Sequence, residues 1–217
     1  ALKLKEALAG GAWSGNGKLE VLSQLMRLRQ ICCDPALCFE DYTGESAKLE
    51  TCVSLIASAS AAGHKILLFS QFASMLERIR ERLLQEGISS HLLVGATPKE
   101  ERSRMVQAFA SDEVPVFLIS LKAGGTGLNL TAADIVIHYD PWWNVAAQNQ
   151  ATDRAYRIGQ EKPVTVYKLI LKDTIEENLL KLQNAKLALA AQVVSEGMVS
   201  LGDLSQNELM ELFEQNP

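Results

Sequence analysis

Nothing in this sequence is apolar over a long enough stretch to cross a bilayer. Its longest apolar runs, such as KILLF and VFLIS, fall far short of the roughly 20 residues a spanning helix requires. No basic segment followed by an apolar stretch opens the chain, so a secretory signal is not expected and an intracellular location is. An excess of positive charge is also missing. Net charge is −5, so no overall basic field marks the chain for nucleic acid, although a local basic face would suffice for contact. Cysteine is scarce: four residues, Cys32, Cys33, Cys38 and Cys52, all in the first quarter. A zinc site needs paired cysteines two to four apart with a second pair or histidines downstream, and Cys33 and Cys38 are too far apart, with His64 the nearest histidine. These cysteines are expected to pack as small reduced hydrophobes, and no metal site is expected.

A self-contained nucleotide loop is absent as well. GNGK at 15–18 contains Gly-x-Gly-Lys, but Leu19 stands where a magnesium-binding Ser or Thr is needed, and no strand precedes it. A turn before a helix is the expectation there.

What remains is a chain of 217 residues with 47% apolar and 22% charged residues, long enough to bury a core without disulfides. Residues 1–62 read as helical: Leu19, Leu22, Leu25, Met26, Leu28 and Ile31 form a stripe that Pro35 ends, and a second helix is expected over 46–61 with Gly63 at its end. From His64 onward strands and helices alternate. Strands are expected at 65–69, 91–94, 116–120, 135–139 and 164–170, with helices over 72–86 (closed by Gly87), 97–110 and 145–157 between them. The helix over 97–110 has TPKE at 97–100, read as Thr97 cap and Pro98 at the first helical position, and the helix over 145–157 has Asn144 as cap. DTIE at 173–176 with Glu177 caps a helix to about 194, and SQNE at 205–208 opens a short last one. Such alternation predicts an α/β fold with a parallel sheet covered on both faces, whose ligands gather at the carboxyl ends of the strands. Three parts follow: a helical segment 1–62, a lobe 63–172 and C-terminal helices 173–217.

The strand-end loops carry the polar and glycine-rich residues: SQF, LKAGGTGLN and DPWWN. Gly124, Gly125 and Gly127 would let backbone N–H groups approach a phosphate, or would simply connect strand to helix; Lys122, Thr126 and Asn129 favour the first. Adjacent Trp142 and Trp143 cannot both point inward from an extended loop. Gln150, Arg154 and Arg157 fall at i, i+4 and i+7, one stripe of the 145–157 helix, beside Ala147, Ala151 and Ala155. On a helix taken alone, a solvated polar face would account for that stripe.

Taken together, LRQICCDP (28–35), KILLFSQF (65–72), LLVGATPKEERSRMVQAF (92–109), LISLKAGGTGLNLTAADIVIHYDPWWN (118–144) and QATDRAYRIGQ (150–160) resemble the second RecA-like lobe of the Swi/Snf family. That family comprises superfamily-two, helicase-like ATPases that translocate on double-stranded DNA, and the resemblance covers almost the whole chain. It implies a RecA-like parallel sheet with helices on both faces. It also implies that Arg154 and Arg157 act as arginine fingers on ATP, with Gln150, Asn129 and Gly127 near the nucleotide. ATP and magnesium would be held mainly by a first lobe, without which this chain would not hydrolyse ATP. Ser120, Lys122, Gly124, Gly125 and Thr126 would couple DNA backbone to the ATP site; Ser70, Gln71, Thr97 and Arg102 would face the DNA, and Trp142 and Trp143 would lie between the two sites. The implied partners are the double-stranded DNA backbone, the first lobe and a protein–DNA complex to be remodelled, in the nucleoid or nucleus, with no membrane. Tyr156 and Val145 depart from the family's commoner His and Pro, and RIGQ separates the chain from DEAD-box lobes, whose sixth motif continues into a further Gly-Arg pair. The competing expectations are a superfamily-two lobe acting on RNA or other DNA, a self-sufficient α/β enzyme, or an interaction module docking through 1–62.

Overall fold

The structure is a computed structural model that describes residues 16–123, 128–157, 160 and 162–190. These fall into two compact units, one from 43–142 and 146–169, the other from 16–42, 143–145 and 170–190.

The first of these units is built on a five-stranded sheet in which every pairing is parallel, in the order β2-β3-β1-β4-β5. The strands are β1 (Ile66–Ser70), β2 (Ser90–Leu93), β3 (Val116–Ser120), β4 (Ile135–His138) and β5 (Thr165–Lys168). Continuous apolar runs make the three central strands, and every residue of β1, β3 and β4 is buried. Each fully buried Leu, Ile or Phe there contributes about 1.5–3 kcal/mol of transfer free energy, so these strands anchor the unit. The expected cover on both faces fails at β5, where TVYK is exposed throughout, including Val166 and Tyr167. Its alternation of Thr, Val, Tyr and Lys is what a solvated edge strand tolerates.

Helices α2 (Ala47–Ala61), α3 (Ala73–Gln85), α4 (Lys99–Ser111) and α5 (Val145–Thr152) accompany the sheet. The Ser46 hydroxyl caps α2 by accepting from the Leu49 amide at 3.4 Å. At the far ends of α2 and α3, Gly63 (φ +80°) and Gly87 (φ +73°) adopt the left-handed conformation. The paired bonds Gly63 N–Ser60 O and His64 N–Ala59 O, and Gly87 N–Leu84 O and Ile88 N–Leu83 O, complete the same C-terminal motif at both. Residues from β1, β2, β3 and β4 form one apolar core with Phe109 of α4, with Leu121, Ala123, Leu130 and Ala133 of the β3–β4 connection, and with Ala151 and Ala155. That core seats the strand-end loop and the arginine segment.

Two expected boundaries change. Thr97 does not cap α4, because its hydroxyl accepts from the Val94 amide at 3.1 Å; Pro98 occupies the cap position without a side-chain bond. The 145–157 helix ends early, at Thr152.

In the second unit, α1 (Asn16–Cys33) stops where expected, since the residue before a proline disfavours helical geometry. Asp34 is extended (φ −163°, ψ 123°) and caps the short 3-10 turn Pro35–Leu37 by accepting from the Ala36 amide at 2.9 Å. The last described helix, α6 (Ile175–Ala190), is capped by Thr174 rather than Asp173, its hydroxyl accepting from Glu176 N at 3.2 Å. Asp173 is left-handed (φ 59°), whereas N-cap residues are typically extended. The SQNE helix expected at 205–208 lies outside the described residues. Among the described residues, no helix is long and apolar enough to cross a membrane.

Candidate functional site

Chain connections leave β1 toward β2 on one side of the sheet and β4 toward β5 on the other, so the strand order reverses between β1 and β4. In open parallel sheets, ligands bind at the carboxyl ends of the strands beside such a reversal. Asp140 shapes this edge. Its Oδ1 accepts from the Ser70 hydroxyl at 2.5 Å and from Gln71 N at 3.3 Å, while the Ser70 oxygen accepts from Phe72 N at 3.1 Å. Ser70 is wholly buried, so it holds the β1 exit in shape and presents no hydroxyl to solvent. Gln71 is half-buried beside it.

Ser120 is the register partner of Ser70. It too is buried, and its hydroxyl accepts from Ala123 N at 3.3 Å, tightening the turn after β3. Lys122 and Asn129 are exposed. Gly124, Gly125, Thr126 and Gly127 lie outside the described residues. Arg102 shapes the loop before α4, where Nε donates to Thr97 O at 2.8 Å and Nη2 to Gly95 O at 2.9 Å.

The adjacent tryptophans have different surroundings. Trp142 packs against the core of the sheet unit and donates its backbone N–H to Gln148 Oε1 at 3.2 Å. Within the other unit, Trp143 faces the guanidinium of Arg29, 5.1 Å from its ring centroid. Gln148 is buried and Gln150 exposed, so the glutamine that supports the loop is the one the helical stripe did not pick out.

The arginines sit on a turn that follows α5. In a continuing helix, the carbonyls of residues 154 and 155 would accept bonds from four residues on. Here Arg154 O accepts from Leu130 N at 3.1 Å, and Ala155 O accepts from Gln160 Nε2 at 3.2 Å. Gln160 Nε2 also donates to Thr131 O (3.0 Å) and Ala133 O (2.7 Å). Tertiary bonds to the β3–β4 connection therefore replace helical ones, and Gln150, Arg154 and Arg157 do not share a helix face. Gln150 and Arg157 are exposed, whereas Arg154 is 3% exposed.

Burial lowers the Arg154 pKa, the positive charge of Arg157 lowers it further, and Asp153 opposes both. Arginine nevertheless keeps its proton in proteins. Its Nε is buried and has no hydrogen-bond partner among the described residues. A desolvated cation with an unmet donor is costly unless an anion completes it. The pair Arg154–Arg157 thus has the chemistry of a phosphate or carboxylate site.

Sequence reasoning also passed over His138, the buried last residue of β4. It stacks on Phe69, its register partner, with centroids 5.7 Å apart, and its Nε2 lies 2.9 Å from Thr152 Oγ1. Burial, with a smaller contribution from Lys168 on β5, pushes its pKa down to about 4. A histidine inside an apolar strand run carries no local signal that separates it from a packed ring.

Residues 47–159 match the helicase conserved C-terminal domain family. The chain is 44% identical over 205 residues to the putative ATP-dependent helicase/translocase YwqA of Bacillus subtilis, covering 90% of this chain and 22% of that protein. It is 34% identical over 212 residues to the mouse SWI/SNF-related matrix-associated actin-dependent regulator of chromatin subfamily A member 1, covering 90% of this chain and 20% of the relative. The chain therefore spans about a fifth of the length of these relatives. Among solved structures, the Sulfolobus solfataricus SWI2/SNF2 ATPase C-terminal domain is 30% identical with a TM-score of 0.73, covering 100% of this chain and 93% of that one. The ATPase core from the same organism in complex with dsDNA is 33% identical with a TM-score of 0.76, covering 99% of this chain and 47% of that one. With the parallel sheet in agreement, the chain belongs to the helicase conserved C-terminal domain family, as the RecA-like second lobe of its SWI2/SNF2 branch.

Proposed function

We propose that this chain is the second lobe of an ATP-dependent double-stranded DNA translocase, and that Arg154 and Arg157 act on the γ-phosphate of ATP held by a first lobe. One observation carries the reading: Arg154 is a buried cation with an unpartnered Nε, on a turn held by hydrogen bonds from Leu130 and Gln160. A phosphate oxygen would supply the missing acceptor and offset the charge. The donors gathered here are guanidinium groups, which suit phosphate oxygens and not a cation, so magnesium is assigned to the first lobe. When bound there, magnesium neutralises the phosphates.

Arg157, exposed beside Arg154, meets charge that develops as the terminal phosphoryl group leaves, and Gln150 and Asn129 face the nucleotide. Arginine fingers contribute on the order of 10³–10⁵ in rate in phosphoryl transfer. Lacking the first lobe, the chain hydrolyses no ATP by itself. Lys122, Gln71 and the loop through Gly124, Gly125 and Thr126 meet the DNA backbone. Ser70, Thr97, Arg102 and Ser120 act there by shaping the loops, and contact is to phosphates without readout of base sequence. The names of the relatives and the dsDNA-bound neighbour support this reading. The whole protein would remodel a protein–DNA complex, in a nucleoid or a nucleus.

ATP hydrolysis with and without DNA tests this. The isolated chain is expected to show none, and the two-lobe protein DNA-stimulated turnover; robust hydrolysis by the isolated chain would overturn the proposal. Binding of the chain to duplex DNA should weaken with salt, log affinity falling by about 0.9 per phosphate neutralised. Salt-insensitive affinity would refute the backbone contacts.

A further inference from the structure

A partly buried polar thread runs from the end of β4 to the arginine turn. His138 Nε2 lies 2.9 Å from Thr152 Oγ1, and the Thr152 hydroxyl donates to Gln148 O at 3.3 Å. Gln148 in turn takes the Trp142 amide, so the thread ends at the tryptophan loop. The Thr152 hydroxyl has one proton. With that proton on Gln148 O, the bond to His138 needs the proton on Nε2. His138 Nδ1, buried without a hydrogen-bond partner, is then a bare lone pair and not an orphaned N–H. The ring is stacked on Phe69 at an interplanar angle of 23°.

Thr152 is where α5 gives way to the turn. Its carbonyl accepts from Ala155 N at 3.0 Å and Tyr156 N at 3.3 Å, so the residue that His138 grips also organises the backbone on which both arginines sit. After Thr152 no regular helix holds Arg154 and Arg157, and their placement depends on tertiary bonds. Gln160 fastens the far side of the turn, and the near side rests on this thread.

We propose that His138 is a positioning residue for the arginine pair, acting through Thr152 and holding the turn in register with the rigid centre of the sheet. The proposal rests on the reading that the arginines act on ATP, and it adds the group that aims them. A misplacement of a catalytic group by about 1 Å, caused by a mutation away from the chemistry, costs up to about 100-fold in rate.

The test uses the two-lobe protein and DNA-stimulated ATP turnover. Thr152→Val keeps the shape and removes the hydroxyl, and His138→Phe keeps the stacked ring and removes both nitrogens. Each is expected to lower kcat by about 10- to 100-fold without raising the KM for ATP, as loss of aim in the transition state does. Thr152→Ser, which keeps the hydroxyl, should restore turnover. Combined with Arg154→Ala and Arg157→Ala, neither substitution should cause a further loss, whereas a merely structural role would add one. Unchanged kcat in Thr152→Val and His138→Phe, beside arginine variants that abolish turnover, would overturn the positioning role alone. Turnover that survives loss of the arginines would instead overturn the reading of the site. ¹⁵N NMR of His138 is independent of activity and of either variant folding. The Nε2-protonated tautomer is expected, and the Nδ1-protonated one would break the thread as described.

Discussion

Replacing His138 with glutamine should remove about 2 kcal/mol of pH-dependent stability loss between pH 7 and pH 5. The folded protein holds His138 neutral down to about pH 4, because its ring is buried and Lys168 stands opposite on β5. In the unfolded chain the same ring takes up a proton near pH 6.5. Over that window the unfolded state binds more protons, so protonation pulls the equilibrium toward it and stability falls as pH falls. The contribution is complete above about pH 7, smaller by about 2 kcal/mol at pH 5 and by about 3 kcal/mol near pH 4. Against a usual domain stability of roughly 5–15 kcal/mol, such a loss is readily measured. Urea unfolding from pH 8 to pH 5, for the parent protein and His138→Gln, isolates it, since glutamine can reach Thr152 but does not titrate. The parent's advantage over the variant should shrink by about 2 kcal/mol across the range. A difference between the two proteins that stays constant with pH would refute the assignment of a buried neutral ring. Asp112 and Asp134 act in a lower window. Burial raises their pKa values, but His91 and Lys65 around Asp112, and His64 and Lys162 around Asp134, bring both below the ordinary carboxylate range. Their contribution is present above about pH 4 and lost as pH falls through the lowered values.

Other consequences are simpler to test. Ser70→Ala removes the 2.5 Å bond to buried Asp140, and should cost about 1–3 kcal/mol in urea unfolding. Gly63→Ala meets no atom within 4 Å but must hold φ +80°, so its cost, about 1–2 kcal/mol, should come from backbone strain alone. Phe117→Ala, in a fully buried strand beside Phe109, should cost about 3–5 kcal/mol. The Cys52 thiol is pushed up to about 12 by burial, against a smaller opposing effect of Lys48, so at pH 8 it should resist alkylation in the folded protein and react on unfolding.

The fold was legible wherever apolar runs and helix stops were strong. ILLFS, VFLIS and IVIH could hardly be anything but buried parallel strands, and Gly63 and Gly87 end their helices as glycine after a helix should. Expectation failed where tertiary bonds overrode local pattern. The stripe of Gln150, Arg154 and Arg157 assumed a helix to residue 157, but Leu130, distant in sequence, and the side chain of Gln160 take the carbonyls that would have continued it. Thr97 had the pattern of a cap, yet the Val94 amide claims its oxygen. Ser70 and Ser120 stood at strand ends, where hydroxyls often meet ligands, but only the fold reveals that Asp140 and the Ala123 amide face them. No local pattern marks Asp140, because its partners lie about seventy residues earlier. His138 and Gln148 were invisible for the same reason: their significance is a contact, and neither lies in a pattern of its own.

The central claim is that this lobe completes an ATP site with Arg154 and Arg157. DNA-stimulated ATP hydrolysis by the two-lobe protein, measured for Arg154→Ala and Arg157→Ala at saturating ATP and DNA, tests it most directly. Each substitution is expected to lower kcat by about 10³-fold or more. Turnover within a few-fold of the parent in both variants, with DNA affinity unchanged, would contradict the account.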